Sequence, residues 1–350
     1  MPVAFLRPAV AADDGLSSAS NYLGFKTTAK MSRSIVRRTR AAVIRGLGIS
    51  TRDLKRFQNN SDAEWLLGLP SFPDQADVVL LFGGDGTVHR HLPQLLELGL
   101  PVLVVPAGSG NDFARALGHD SIQGSLKAWQ LFTASRNNVR AIDVGVITSV
   151  AQAGARAVDA VSTGENADAD TGRSRHYFCC VAGCGLDADI ARRANRLPQW
   201  LRSYGGYALS LPVALAHFAP IEVKISSSEN YDDYQFVSRG TRKIMLMACA
   251  NTPVFGAGMR IAPRATMDDG KLDVCSISEM HKLKLSCLFP TVYSGRHLGI
   301  KEVEYFQTPR VRIDSVTPAD IYADGEYVCQ TPVEIGVLAR ALRVITADGN

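Results

Sequence analysis

The chain has 350 residues, of which 46% are hydrophobic and 21% are charged, and its formal net charge is +4. This length favours two domains with sizeable cores, and the composition excludes a disordered or fibrous protein. No run approaches the roughly 20 consecutive apolar residues that a membrane span needs. The N-terminus lacks the charged start and long hydrophobic core of a signal peptide. The sequence therefore predicts a cytoplasmic protein.

Residues 1–29 give a weak pattern, with a short strand predicted at residues 3–6. A basic segment follows, with nine Lys or Arg residues and one Asp between residues 30 and 56. Its interspersed apolar residues predict an amphipathic helix, which would either contact anionic membrane or lie solvated on the surface. Nucleic acid is not expected as a partner, because no aromatic residues are interleaved with the charges. A second, short helix is predicted at residues 62–67.

The clearest local pattern is ADVVLLFGGDGTVHR at residues 76–90. Five apolar residues at 78–82 predict a strand buried in a parallel sheet, and the spacing over 88–98 predicts a helix. Between them, Gly83, Gly84 and Gly86 allow a tight turn and a close approach to a ligand. The N–H groups at the helix start suit a phosphate.

Asp85 is unexpected in a site for anions, because its carboxylate would repel phosphate. A carboxylate at this position indicates phosphoryl transfer with Mg²⁺ rather than passive phosphate binding. The alternative is an ordinary turn between a strand and a helix.

A second strand–turn–helix pattern follows at residues 100–117, LPVLVVPAGSGNDFARAL. Glycines at 108 and 110 open the turn, and Ser109, Asn111 and Asp112 place polar groups at the helix start. Because parallel strands end at the same edge of a sheet, the two glycine-rich turns would share one crevice. The alternative role for Asn111 or Asp112 is that of a helix N-cap. A further helix is predicted at 125–135.

The second half of the chain has a different texture. The composition of residues 151–174 predicts a flexible insertion, and HYFCCVAGCGLDAD predicts a strand, a turn and a helix with Asp187 and Asp189 at its start. An apolar helix is predicted at 203–217. The segments IEVKIS, QFVSRG and RKIMLMACAN predict antiparallel strands, and residues 331–346 predict two strands around a turn. The expected fold class is α/β, with a doubly wound domain at 1–138 and an antiparallel β-rich domain at 139–350.

The seven Cys residues are odd in number and lie mostly in apolar runs. This indicates small buried side chains in a reducing compartment. A metal site on Cys180 and Cys184 is the weaker alternative, because no second pair completes it.

Two further motifs lie at residues 255–274, FGAGMRIAPRATMDDGKLDV, and at 324–326, Asp-Gly-Glu. Taken in order with GGDGT and PAGSGNDFA, they resemble the lipid kinase family that includes bacterial diacylglycerol kinases and sphingosine kinases. The resemblance spans roughly residues 76–346. NAD kinases and phosphofructokinases share the GGDG turn but not this combination.

The resemblance implies ATP and Mg²⁺ as cofactors. The residues that it assigns to the nucleotide are Gly83, Gly84, Asp85, Gly86, Thr87, Gly108, Ser109, Asn111, Asp112 and Asp324. It assigns a further Mg²⁺ to Asp269 and to the main-chain oxygens of Thr266 and Lys271, where an ordinary Asp-Gly hairpin turn is the alternative.

The same resemblance implies transfer of the γ-phosphate to the hydroxyl of a lipid such as diacylglycerol. Glu326 would accept the hydroxyl proton as general base, Asp85 would help place Mg²⁺-ATP, and Asp187 would contact the hydroxyl or cap its helix. The implied partners are a lipid alcohol and the surface of an anionic membrane, and a homodimer is possible.

The chain departs from the family at its start. Family relatives open with a strand, an Asn-Pro pair and a glycine-containing turn that touches the nucleotide, and residues 1–29 lack this pattern. Residues 27–34, TTAKMSRS, are a candidate substitute. Two alternatives to a lipid kinase therefore stay open: a kinase for a soluble substrate such as NAD, and a catalytically silent homologue that binds nucleotide or lipid.

Overall fold

The structure, a computed structural model, describes residues 38–46, 49–150, 166–167, 174–197, 206–230, 235–256 and 258–348. Within these segments the α-helices are α1 (Thr51–Asn59), α2 (Asp85–Leu98), α3 (Asp112–Ala116), α4 (Ile122–Ser135), α5 (Leu186–Asn195), α6 (Gly206–His217) and α7 (Lys282–Val292). The strands are β1 (Arg40–Arg45), β2 (Glu64–Leu67), β3 (Val78–Gly83), β4 (Val102–Pro106), β5 (Val139–Ser149), β6 (Asn166–Ala167), β7 (Ser174–Phe178), β8 (Val181–Gly185), β9 (Ile221–Ser228), β10 (Val237–Ala250), β11 (Leu272–Ser278), β12 (Val303–Thr308), β13 (Arg310–Ser315), β14 (Asp320–Ala323), β15 (Glu326–Gln330) and β16 (Val333–Ile345). None of these helices combines the length and apolarity that crossing a bilayer requires.

Parallel strands form the first part of the sheet, in the order β2–β1–β3–β4. Every residue of β3 is buried, as the apolar run at 78–82 predicts. Val79 and Leu81 pack in one core with residues of α2, whereas Leu80 and Phe82 pack in another core with Trp129 of α4. Helices therefore cover both faces of the sheet, which confirms the predicted doubly wound arrangement.

Helix α2 follows the glycine-rich turn directly. Its buried residues are Val88, Leu92 and Leu95, which lie on one helical face. The helix ends at Gly99, whose φ of 60° is the left-handed conformation that glycine adopts easily. The predicted helix is confirmed, and it begins three residues earlier than expected, at Asp85.

The amphipathic helix predicted between residues 30 and 56 is wrong in its described part. Residues 40–45 form β1, which lies between β2 and β3, and its residues Ala41 to Ile44 are buried. A strand inside a parallel sheet needs apolar side chains on both faces, and this requirement outweighs the helical spacing of the segment. Helix α1 takes up only the last part of the basic segment. Residues 30–37 and the strand predicted at 3–6 lie outside the described residues.

The short helix predicted at residues 62–67 is also wrong, because Glu64–Leu67 form β2. The connection from β2 to β3, residues 68–77, passes β1 with a single 3₁₀ turn at Pro73–Gln75. Crossovers between parallel strands usually carry an α-helix that covers the sheet. Here the uncovered side chains Leu67 and Phe72 are 72% and 62% exposed.

Antiparallel strands form the second part of the sheet. β16 pairs antiparallel with β5 and, at Val344 and Val102, parallel with β4. β10 pairs antiparallel with β8, β9 and β11. These pairings confirm the antiparallel β-rich half. Because the sheet is continuous, the domain division at residues 138 and 139 stays a prediction.

Two strand predictions differ from the structure in number. β10 is one strand where QFVSRG and RKIMLMACAN predict two, with a register shift between Ser238 and Gly240. β16 is also one strand instead of two around a turn. Its register shifts between Leu338 and Leu342, where Arg340 adopts a φ of 52°. A bulge thus takes the place of the expected turn. Most of the predicted insertion at 151–174 lies outside the described residues.

Gly145 of β5 generates a stability prediction. Its neighbour across the strand pair is Phe178, a fully buried residue, and a Cβ at position 145 would overlap the Phe178 ring. We expect Gly145→Ala to lower the free energy of unfolding by about 1–3 kcal/mol, because a packed core resists added volume. Urea denaturation measures this difference.

Gly299→Ala is the matched control, since a Cβ at Gly299 meets no atom within 4 Å. We expect its unfolding free energy to stay within about 0.5 kcal/mol of wild type. Equal stability of both variants would contradict the described packing of Phe178.

Candidate active site

The turn after β3 requires glycine at two positions. A Cβ at Gly83 would lie 2.6 Å from the Cβ of Thr87. A Cβ at Gly84 would lie 2.8 Å from the Cα of Gly108. Thr87 N and Val88 N both donate to the carbonyl of Gly84, at 2.9 and 3.1 Å. These bonds start α2 directly at the turn.

The two glycine-rich turns are in direct backbone contact. β3 and β4 run parallel with Gly83 opposite Pro106, and Ala107 N donates to Gly83 O at 3.1 Å. Gly84 and Gly108 then approach so closely that neither has room for a side chain. The two turns therefore lie side by side at the carboxyl edge of these strands, as the sequence predicts, and the crevice itself stays a prediction.

Asn111 closes the second turn onto itself. It has a φ of 55°. Its side-chain amide donates to Gly108 O at 2.7 Å, and its Oδ1 accepts from Gly108 N at 2.8 Å. Asn111 occupies the N-cap position of α3, but its side chain does not cap the helix. The N-cap alternative is therefore wrong for the Asn111 side chain.

The Asp85 side chain, from the first glycine-rich turn, caps the start of α3 in place of Asn111. Its Oδ2 accepts from Asp112 N at 3.1 Å and its Oδ1 accepts from Phe113 N at 3.0 Å. Asp112 itself pairs with Arg115 at 3.0 Å. The Asp85 carboxylate thus links the start of α2 to the start of α3.

The Asp85 carboxyl holds its proton unusually strongly. Burial, followed by the Asp112 carboxylate, raises its pKa from 3.8 to about 6, and the Asp324 carboxylate adds a smaller effect in the same direction. The N–H groups of Phe113 and Asp112 act in the opposite direction. Near neutral pH the group is mostly ionised, and an added positive charge would favour this ionised form.

Asp324 anchors the chain between β7 and β8. Its carboxylate accepts from the backbone N–H groups of Cys179, Cys180 and Val181 at 2.7, 2.9 and 3.1 Å. The side chain is 3% exposed, and the His89 Nδ1 of α2 lies 4.0 Å from its Oδ2. Asp324 therefore lies at the predicted site but acts on the protein backbone.

Glu326 reaches the first glycine-rich turn. Its Oε1 is 3.1 Å from where a Cβ of Gly86 would stand, and the residue is exposed. Asn195 of α5 donates to the carbonyl of Gly325 at 2.8 Å and holds the turn that carries Glu326. The structure thus brings together the GGDGT turn and the Asp-Gly-Glu turn from distant parts of the sequence.

Asp187 lies in the first turn of α5 and is buried, with 6% exposure. Burial and the nearby Asp187 carboxylate raise the pKa of the Cys184 thiol to about 12. Asp189 is bonded to Arg193 at 2.7 Å and also to Arg192. Burial opposes ionisation of Asp189, but the two arginines hold its pKa below the usual range. Asp187 faces the protein interior more than a surface crevice.

The Asp-Gly turn before β11 exposes the side chains of Thr266, Asp269 and Lys271. Asp269 Oδ1 accepts from Lys271 N at 3.0 Å. Throughout the described segments, His, Cys, Asp and Glu side chains form no group of three that could hold a metal ion. One carboxylate and two carbonyls are the only donors that the predicted set offers, and such hard oxygen donors are compatible with Mg²⁺.

Sequence reasoning missed Asp143, whose carboxylate fixes the Asp-Gly turn before β11. The fully buried carboxylate accepts from Gly270 N and from Arg340 N, each at 2.7 Å. A single carboxylate within the apolar run AIDVGVI was the available signal, since a buried charge needs partners.

Sequence reasoning also missed Gly46, which ends β1. Gly46 N donates to Phe82 O at 2.7 Å, and a Cβ on Gly46 would lie 2.9 Å from Thr87 Oγ1. Gly46, directly after the first described strand, therefore lies against the GGDGT turn. The expected substitute at residues 27–34 lies outside the described residues.

Five of the Cys side chains are buried, as expected, whereas Cys329 is intermediate and Cys287 is exposed. Burial, with the nearby carboxylates of Asp324 and Asp85, raises the pKa of the Cys179 and Cys180 thiols well above the ordinary value. These two thiols stay protonated beside the site.

The site brings two glycine-rich turns on a parallel α/β sheet together with a carboxylate from an antiparallel β-rich half, an arrangement compatible with phosphoryl transfer. Residues 41–147 match the family model of the diacylglycerol kinase catalytic domain. Residues 180–346 match that of the YegS C-terminal NAD kinase beta sandwich-like domain.

Curated relatives agree with these domains. A diacylglycerol kinase of Mycobacterium tuberculosis (strain ATCC 25618 / H37Rv) is 29% identical over 273 residues, which cover 77% of this chain and 76% of the relative. A diacylglycerol kinase of Bacillus subtilis (strain 168) is 25% identical over 271 residues, with 77% of each chain covered. A solved diacylglycerol kinase structure from Bacillus anthracis str. Sterne shares the fold, with a TM-score of 0.56 at 18% identity over 88% of this chain and 96% of that one.

The chain belongs to the lipid kinase family of the diacylglycerol kinases and YegS-like proteins. It is a kinase, an enzyme that transfers a phosphoryl group.

The Asp324 anchor generates a stability prediction. An amide at position 324 has one acceptor oxygen, and its NH₂ group would face backbone donors, so we expect Asp324→Asn to lower the free energy of unfolding by about 1–3 kcal/mol. Asp320→Asn is the matched control at the start of β14, since among the described residues the Asp320 side chain accepts one hydrogen bond, from the Gln330 side chain at 2.9 Å. Equal stability of the two variants in urea denaturation would contradict the role of Asp324.

The pKa of Asp85 generates a prediction about pH. Because the folded-state pKa of about 6 exceeds the ordinary value of 3.8, folding favours the protonated carboxyl. That contribution is complete below pH 3.8 and is lost as the pH rises through 6. Relative to Asp85→Asn, the wild-type free energy of unfolding should therefore fall by ~3 kcal/mol between low and neutral pH.

Urea denaturation of the wild type and of Asp85→Asn, without nucleotide or metal, at pH 4 and pH 7.5 measures this change. A difference that grows with pH would show that the pKa is lowered instead of raised.

Proposed function

We propose that this kinase transfers the γ-phosphoryl group of ATP to the hydroxyl of a lipid alcohol such as diacylglycerol. The observation that supports this most directly is the Glu326 carboxylate beside Gly86 in the GGDGT turn. A primary hydroxyl is a weak nucleophile, and a carboxylate beside the transferring phosphate can accept its proton. Glu326 would be this general base.

The two turns would bind the phosphates. The start of α2, directly after Gly84, would present backbone N–H groups to the phosphates, and the helix dipole there favours negative charge. Thr87 and the exposed Ser109 would add hydroxyl donors. Asp85 would act in catalysis by holding α2 and α3 in register, because both of its oxygens accept backbone N–H groups.

The nucleoside would lie in a neighbouring cleft. A cleft of about 410 Å³ lies at the carboxyl ends of β1 and β2, beside the uncovered crossover, and its lining residues are Val43, Ile44, Arg45, Leu67, Gly68, Leu69 and His91. Apolar walls with few polar groups suit a base and a ribose. Burial, with the adjacent Arg90, lowers the pKa of His91, so a neutral imidazole would face the nucleoside.

Mg²⁺ would contribute at two places. Bound with ATP, it would neutralise the developing charge on the phosphates. A second ion would be held by Asp269 and by the carbonyls of Thr266 and Lys271, on the turn that Asp143 fixes. The protein would meet its substrate at the surface of an anionic membrane from the cytoplasm.

The test is transfer of ³²P from γ-labelled ATP with Mg²⁺ to a mixed lipid extract and, separately, to NAD. A labelled lipid establishes the activity and identifies the acceptor by chromatography. Labelled NAD in place of lipid would establish the soluble-substrate kinase. ATP binding without any transfer would establish the silent homologue.

Glu326→Gln tests the role of the carboxylate. It keeps the side-chain shape but cannot accept the hydroxyl proton, so we expect kcat to fall by about 100-fold or more and the KM for ATP to stay nearly constant. Glu97→Gln is the matched control, since Glu97 is an exposed residue at the far end of α2. A kcat for Glu326→Gln within a few-fold of wild type would refute the general base.

A further inference from the structure

Helix α7 has two apolar faces. One face, with Leu285, Leu288 and Val292, is buried in the core. The other face is open to solvent and follows the helical spacing of four and three residues, with Leu283, Cys287 and Pro290 exposed. Leu283 is 71% exposed, and Tyr293 at the end of the helix is 45% exposed. We call Leu283, Cys287, Pro290 and Tyr293 the α7 stripe.

Basic groups surround the start of the α7 stripe. Lys282 and Lys284 flank Leu283 in sequence, and His281 precedes them as the N-cap. Lys282 Nζ donates to Ala216 O and joins α7 to the end of α6, where Val213 is 48% exposed. The nearby acids are the exposed Glu279 and Glu302, which pairs with Lys284 at 2.6 Å.

Helix packing and hydrogen bonds connect α7 to the part of the site where the proposed lipid hydroxyl would bind. α6 packs against α5, whose Asn195 holds the carbonyl of Gly325 next to Glu326. At its other end, α7 binds the segment before the Asp269 turn, since Arg260 N donates to Val292 O at 3.1 Å. A surface bound to the stripe would therefore lie on the helix that joins the elements supporting Glu326 and Asp269.

We propose that the α7 stripe and its flanking lysines dock on a bilayer that contains anionic lipid. Apolar side chains between lysines suit a membrane interface, where the rings and chains enter the acyl boundary. Each ammonium group has three donors, so Lys282 and Lys284 can contact lipid phosphate beside their bonds to Ala216 and Glu302. A second copy of the chain is a poorer fit, because a stable dimer buries about 800 Å² per partner and the stripe is one helix wide. This proposal rests on the lipid kinase function proposed above and adds where the membrane binds.

The test uses sedimentation with vesicles of phosphatidylcholine containing phosphatidylglycerol, and with vesicles of phosphatidylcholine alone. Burying a leucine side chain in the bilayer contributes favourable binding free energy, and Leu283→Glu removes it. We therefore expect Leu283→Glu to weaken binding to the anionic vesicles by about tenfold or more. Phe72→Glu is the matched control, because Phe72 is 62% exposed on the connection that follows β2, at the opposite end of the strand order from β10 and β11, and it should bind like wild type. Equal binding of Leu283→Glu and wild type would overturn the proposal.

Cys287 provides a second readout. In a Cys329→Ser background, an environment-sensitive fluorophore on the exposed Cys287 should shift to the blue when anionic vesicles are added. An unchanged spectrum with bound protein would overturn the proposal. So would a dimer in light scattering that Leu283→Glu dissociates, because the stripe would then be an interface between copies.

Measurements of phosphate transfer distinguish failure of the docking surface from failure of the proposed kinase function. For Leu283→Glu, the ratio of phosphate transfer in vesicles to transfer on a monomeric short-chain diacylglycerol should fall by about tenfold. Transfer to neither form by the wild type, with intact vesicle binding, would refute the kinase function and leave the docking surface standing. Normal transfer to both forms by Leu283→Glu would refute the docking surface alone.

Discussion

The structure of the site depends on the contact between Gly84 and Gly108. Two loops with no side chains at the contact can approach until their backbones touch, and only then can the Asp85 carboxylate reach the N–H groups of α3. The contact also brings the starts of α2 and α3 to the same edge of the sheet. A methyl group on either glycine would separate the turns, and the link between α2 and α3 would be lost with them.

Three carboxylates act on backbone instead of on solvent: Asp85, Asp324 and Asp143. Each accepts at least two N–H groups and fixes a turn that belongs to a different part of the sequence. Glu326 and Ser109 stay exposed at the site, and they are the groups that the proposed function assigns to the lipid hydroxyl and the phosphates. The division is physically sensible, since a buried carboxylate is stable only when its hydrogen bonds are satisfied, whereas a general base needs access to its substrate.

The sequence predicts the parallel sheet, the two turns and their neighbourhood well, because apolar runs and glycine clusters are local signals. β1 and β2 were missed because their strand state comes from pairing, β1 with β3 and β2 with β1, a tertiary effect that outweighs helical spacing. The roles of Asp85 and Asp324 could not be predicted, since their N–H partners lie 27 and 145 residues away. Asp143 is recognisable in the sequence as a charged residue within an apolar strand, but no local pattern identifies its hydrogen-bond donors.

The return of β16 to β4 has a consequence for how the chain is made. Val344 pairs with Val102, Ile345 O bonds to the His119 ring at 2.8 Å, and Thr346 N donates to Asn138 O at 2.9 Å. During synthesis the edge of β4 therefore stays open until residues 344–346 have been made. The part of the sheet formed by β1 to β4 can complete its fold only after these residues leave the ribosome, and closing so long a loop makes folding slow. Deleting residues 344–346 would therefore damage strands that are translated much earlier.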